Sequence, residues 1–179
     1  MNSLNNNQAA SNGTSRYATG TYFCHVFIEN MADLHQLSFL LTADPDKAEQ
    51  CFVAGLEDCV TANNVFQEWA RSWAKHTIIR QAIRALQPHP DHSASLVAVT
   101  VFPDSKQVNV RDEHFEVEHV LALEHFERFV FVMSVFEHYS DHDCARQLGC
   151  SLQDIRRARV RALEQLVRSH RTSYAHLTC

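Results

Sequence analysis

Hydrophobic and polar positions follow a helical period along most of this chain. Phe27, Met31, Leu34, Leu37, Leu40 and Leu41 recur at intervals of three and four, as one face of an amphipathic helix does. Asp44-Pro45 interrupts the stripe, because Pro disfavours a helical residue before it yet suits the first turn of a new helix. Ala48, Cys51, Phe52, Gly55, Leu56 and Cys59 then resume the period, and Thr61 to Asn64 reads as a polar turn. A third helix is predicted from Val65 to Leu86, carrying Phe66, Trp69, Trp73, Ile78, Ile79 and Ile83. From Gln87 to Asp112 the pattern changes. Pro88, Pro90 and Pro103 punctuate it, and the β-branched runs LVAVTVF and QVNV suit either a short hairpin or an extended linker of weak order. Helix resumes near Glu116 and runs to about Ser169. Residues 1–21 are rich in Asn, Ser, Thr, Gly and Ala and are expected to be disordered. The expectation is an all-α fold of two small helical domains, 22–86 and 116–169. A tail at 1–21, a linker at 87–115 and a tail at 170–179 complete the chain.

The most specific pattern lies between Ser140 and Arg161. Ser140 suits an N-cap with Asp143 as its capping-box partner, so a helix is predicted over Asp141 to Leu148. Gly149 falls where that helix must end at positive φ. Ser151 then caps a second helix beginning at Leu152. Cys144, Ala145, Leu148, Cys150, Ile155 and Ala158 fill the interior positions that a helix-turn-helix requires. On a wheel at 100° per residue, Leu152, Ile155, Ala158, Ala162, Leu163 and Leu166 share the inner face. Gln153, Arg157, Val160 and Glu164 point away, with Arg156 and Arg161 on the flanks. The candidate DNA-binding residues are therefore Ser151, Gln153, Arg156, Arg157, Val160 and Arg161, since Gln and Arg suit base edges and phosphates. Arg159 falls among the apolar positions and is expected to snorkel or to pair with an acid on the preceding helix.

Charge sharpens this picture. The net charge is −5, which does not announce a nucleic-acid binder. From Ser151 onward, however, six Arg face only Asp154 and Glu164, while the segment from Asp112 to Asp143 is strongly acidic. The basic part is a candidate phosphate surface, and the acidic part is expected to be repelled by DNA. The other reading is two solvated helix faces of opposite sign that attract each other. Only four Gly and four Pro are present, which disfavours a sandwich or barrel. No apolar run approaches a membrane span, and the polar N-terminus offers no signal-peptide core, so a cytoplasmic protein without membrane association is expected.

These residues resemble a bacterial RNA polymerase sigma factor of the extracytoplasmic-function type, over about two thirds of the chain. LEHFERFVFVMSVFEHYSDHDCARQLGCSLQDIRRARVRAL is similar to the family's fourth conserved region, which recognises the upstream promoter element. The match includes Leu123, Arg128, Val130, Phe131, Ser140, Ala145, Leu148, Gly149, Ser151, Ile155, Arg161 and Ala162. ADLHQLSFLLTADPDKAE resembles the second conserved region, which grips polymerase and opens the downstream element, and VFQEWARSWAKHTIIRQAI resembles its Phe-x-x-Trp helix. The resemblance implies promoter DNA, RNA polymerase core and an anti-sigma factor as partners. Leu34, Leu37, Glu49, Gln50 and Val53 are its implied polymerase-binding residues. The chain departs from the family at Gln50 and Val53, where Asp and Gln are usual, and at Gly55, which is expected to interrupt the helix. It departs also in a short loop before the third helix, at His76 where Asn is favoured, and at Arg159 where an apolar residue is preferred.

Other chemistry is weaker. His138, His142, Cys144 and Cys150 cluster, but their spacing matches no compact zinc pattern. The six Cys show no disulfide framework spacing. Trp69 and Trp73, at i and i+4, are expected in the core of their helical unit, although such a pair can also stack on unpaired bases. No nucleophile elbow, phosphate-cradling Gly loop or paired-carboxylate motif occurs, so neither catalysis, cofactor nor metal is expected. Three functions fit: a promoter-recognising sigma factor, a sigma-derived DNA-binding regulator without polymerase binding, and a protein-interaction module for an anti-sigma partner.

Overall fold

A computed structural model of the chain describes residues 16–62, 64–90 and 117–175, with side chains described to 169. The predicted hairpin, and residues 1–15 of the predicted tail, lie outside the described residues. Those described are all-α, and the only β feature among them is an isolated antiparallel bridge between Tyr17 and Phe66. No helix among them is long and apolar enough to cross a membrane.

The first apolar stripe forms two helices rather than one: α1 (Gly20–Glu29) and α2 (Met31–Thr42) meet at Asn30. There the Asn30 side chain donates to the Val26 carbonyl at 2.7 Å, closing α1 where the backbone leaves helical geometry. Met31 lies on the predicted stripe but at this joint, and it is 53% exposed. Packed structure also starts earlier than expected. Ala18 is buried and its N–H bonds the Val65 carbonyl, while Tyr17 stacks on Phe66 with ring centroids 4.8 Å apart. Residues 16–21 therefore belong to the fold and not to the tail.

The Asp44-Pro45 break is real. Ala43 takes left-handed φ, Asp44 caps α3 (Pro45–Thr61) by accepting from the N–H groups of Asp46 and Lys47, and Pro45 opens the helix. Gly55 does not interrupt α3. It sits inside the helix where a Cβ would approach Ile78 Cγ1 to 2.8 Å, so its missing side chain lets α3 lie close against α4 (Ala70–Leu86). The facing stripe of α4 is correspondingly slim, with Ala70, Ala74, Thr77, Ile78 and Ala82 all buried. That close seam leaves no space for an indole. Trp69, in a short 3-10 turn (Gln67–Trp69), is 58% exposed and Trp73 is 36% exposed. The expectation of a core Trp pair is therefore corrected.

After residue 116 the chain forms α5 (Val117–Leu121), α6 (His125–Phe131) running into a π turn (Val132–Phe136), α7 (Asp141–Leu148) and α8 (Leu152–Ala175). One hydrophobic core includes residues of both helical groups, from Phe23, Leu34 and Ile78 to Phe129, Met133, Ile155 and Leu166. The junction is tied by Arg128. This Arg is 2% exposed, and burial lowers its pKa while the Glu124 charge raises it. Its guanidinium donates to the carbonyls of Leu41, Thr42, Leu121 and Leu123 at 2.9–3.3 Å. Leu41 and Thr42 end α2, where unpaired carbonyls and the negative end of the helix dipole compensate a buried cation.

Candidate nucleic-acid interface

The helix-turn-helix is built from local signals. Ser140 Oγ accepts the Asp143 N–H at 3.1 Å and donates to the Asp143 carboxylate at 2.6 Å, so the predicted N-cap forms and its predicted partner binds it through the side chain. That hydrogen bond, ahead of the Arg146 charge, holds the Asp143 carboxyl below its ordinary pKa. α7 ends on Gly149 at φ +65, and the Cys150 N–H reaches back to the Ala145 carbonyl at 3.1 Å. Ser151 then makes a full capping box with Asp154: its Oγ accepts the Asp154 N–H at 3.2 Å, and its own N–H donates to the carboxylate at 3.1 Å. Both helix starts are thereby satisfied without help from distant residues.

The faces of α8 divide as the wheel requires. Ile155, Ala158, Ala162 and Leu166 are buried, whereas Gln153, Arg156, Arg157 and Val160 are exposed. Ser151 is exposed at the helix start, but its side chain is committed to capping. Arg159 is turned inward and pairs with Asp141 at the start of α7, the predicted acid on the preceding helix. Arg156 also approaches Asp141, at 3.5 Å. Arg161 is less available than a flanking position suggested: it is about one-third exposed and binds the buried Glu127 of α6 at 2.6 Å. Among the described residues Arg157 makes no ion pair or hydrogen bond, and Gln153 makes no side-chain hydrogen bond.

Cys144 is fully buried beneath this motif, and burial pushes its thiol up to about 11, so it serves as a small core residue. Among the described residues no group of three His, Cys, Asp or Glu is placed to hold a metal ion.

The residues implied as polymerase-binding separate into two groups. Leu34 and Leu37 are 0% and 3% exposed, forming the seam of α2, so in this conformation they offer no surface to a partner. Glu49, Gln50 and Val53 are exposed together on one face of α3.

Trp69 and Trp73, expected in the core, instead belong to a second exposed surface. Tyr17, Phe66 and Trp69 form an aromatic run, with Phe66 and Trp69 edge to face at 5.1 Å, and Trp73 lies 5.8 Å from the His76 ring one turn along α4. The signal available was the pair of small residues Ala70 and Ala74, each one position after a Trp. His76 also reaches across the junction. Its Nδ1 lies 3.3 Å from Gln147 Nε2 and 3.5 Å from the Tyr139 hydroxyl. Burial first, and then the Arg80 and Arg146 charges, holds its pKa below 6.5.

Compared with known proteins, the chain matches no protein-family model and no curated sequence.

Proposed function

We propose that this protein is a sigma-like transcription initiation factor that reads promoter DNA through α7 and α8 and contacts RNA polymerase core through the N-terminal helices. The observation that carries the reading is the two-faced recognition helix. A glycine-terminated α7 leads into a doubly capped α8 with a buried Ile155–Ala158–Ala162 stripe. The opposite face offers Gln153, Arg157 and Val160 to the exterior. That is the arrangement by which a helix enters the major groove. The exposed Trp69 and Trp73, just before and within the first turn of α4, add a surface on which unpaired bases can stack, as opening a promoter requires. The polymerase surface would be Glu49, Gln50 and Val53 on α3.

A second reading, a DNA-binding regulator without polymerase contact, is favoured by one observation: Leu34 and Leu37 are buried. Two assays test both. Purified protein titrated into a labelled duplex pool should retain preferred sequences, and absence of any retained duplex refutes the DNA reading. Co-purification with core polymerase, lost in a Val53→Glu variant of unchanged melting temperature, supports the initiation factor. Absence of co-purification leaves the regulator.

A further inference from the structure

Arg156, Arg157, Arg159 and Arg161 crowd two turns of α8, and three of them meet carboxylates from the helices beneath. Glu127 of α6 takes Arg161, while Asp141 of α7 takes both Arg159 and Arg156. These carboxylates differ in kind. Glu127 is buried, with 9% of its side chain exposed, and its pair holds α6 to α8. Asp141 keeps a quarter of its side chain exposed, and its longer contact is to Arg156, whose side chain is 69% exposed on the flank of the outward face. The close pair with Arg159 suffices to seat α7 on α8. The second contact lies at the edge of the surface proposed to meet DNA.

We infer that Asp141 is a specificity-determining residue of that interface: a positioning carboxylate that aims Arg156 and keeps its charge from binding phosphates indiscriminately. The inference rests on the DNA-binding reading of α8. One carboxylate against two guanidiniums leaves this corner with a net charge of +1. Affinity for random duplex comes from neutralised phosphates, each of which steepens the logarithmic salt dependence by about 0.9. Phosphate contacts carry no sequence information, whereas a side chain held in one place can report on the groove beside it. Asp141 therefore lowers affinity for every duplex, and lowers it more for random ones. At a preferred site the fixed Arg156 recovers part of the loss.

The test uses the full chain, a duplex selected by the wild type from a random pool, and a scrambled duplex, each titrated at several salt concentrations. Asp141→Asn should bind the scrambled duplex several-fold more tightly and steepen its salt slope by about one. Its preference for the selected duplex should fall about tenfold, within the range of one lost base-level discrimination. Asp141→Glu should restore most of the preference, and Asp141→Asn combined with Arg156→Gln should lose the extra slope. Thermal melting separates a folding defect, which would weaken both duplexes alike, and that outcome makes Asp141 merely structural and overturns the inference. If the wild type binds neither duplex, the DNA reading itself fails. If the wild type discriminates and Asp141→Asn matches it in affinity, slope and preference, only the role of Asp141 falls.

Discussion

The protein turns the same corner twice, by different means. Between α2 and α3 the chain passes through a left-handed residue, Ala43, to the N-cap Asp44. Between α7 and α8 it passes through a left-handed residue, Gly149, to the capping box of Ser151. Gly149 adopts that backbone readily, and a Cβ there would meet nothing within 4 Å. Ala43 pays about 1–2 kcal/mol for it. The difference is made up from outside the corner: Arg128, 86 residues away, binds the Leu41 and Thr42 carbonyls, and Thr42 Oγ1 bonds the Ser38 and Asp44 carbonyls. One corner is enforced by its own sequence and the other by tertiary packing. The self-sufficient corner belongs to the helix-turn-helix, whose outward face, with Gln153, Arg157 and Val160, is exposed.

The largest effect should come from removing the clasp. Arg128→Ala leaves carbonyls on both helical groups without a donor and opens a cavity, a loss of roughly 2–5 kcal/mol in a denaturant melt. Arg128→Lys should recover little, because one ammonium cannot reach the four carbonyls that the planar fork spans. Leu148→Ala, in the helix-turn-helix core, should cost about 2–5 kcal/mol, and a change within measurement error would mean that α7 does not pack as described. Gly55→Ala gains helix propensity but pushes a methyl against Ile78, so a net loss of about 1 kcal/mol is expected.

The corners themselves give a matched pair. Gly149→Ala should destabilise by about 1–2 kcal/mol. Ala43→Gly should be near neutral, since relief of the left-handed strain is offset by about 0.5–1 kcal/mol of glycine entropy. Equal and opposite effects at the two sites would mean that packing contributes nothing to the Ala43 corner.

The smallest effect concerns pH. The folded state holds His76 below 6.5, so it favours the neutral imidazole. The resulting stability is complete above 6.5 and is lost as pH falls towards the folded pKa. The melting temperature should therefore drop more between pH 7 and pH 5.5 in the wild type than in His76→Gln. Identical pH profiles would remove His76 from the junction's energetics.

The same contrast decides what was legible in the sequence. Caps, the Asp44-Pro45 break, the Gly149 stop and the faces of α8 rest on residues within one or two turns, and their positions agree with expectation. The inward Arg159 was visible too, because a cation on an apolar stripe must find an acid nearby. What depends on a partner helix was hidden. Gly55 reads as a helix breaker until Ile78 is placed opposite it, and the two Trp read as core until the alanine seam of α4 takes that side. Arg128 gives no local sign that it will span two helical groups.

The central claim is that the outward face of α8 reads DNA, and one titration tests it most directly. Gln153→Ala, Arg157→Ala and Arg156→Ala are measured against a selected and a scrambled duplex at two salt concentrations. Gln153→Ala and Arg157→Ala should narrow the gap between the two duplexes by about 1–3 kcal/mol. Arg156→Ala, whose charge Asp141 holds away from the phosphates, should weaken chiefly the selected duplex and change the salt dependence little. Wild-type behaviour in all three, on a duplex that the protein does bind, would place recognition elsewhere and contradict the account.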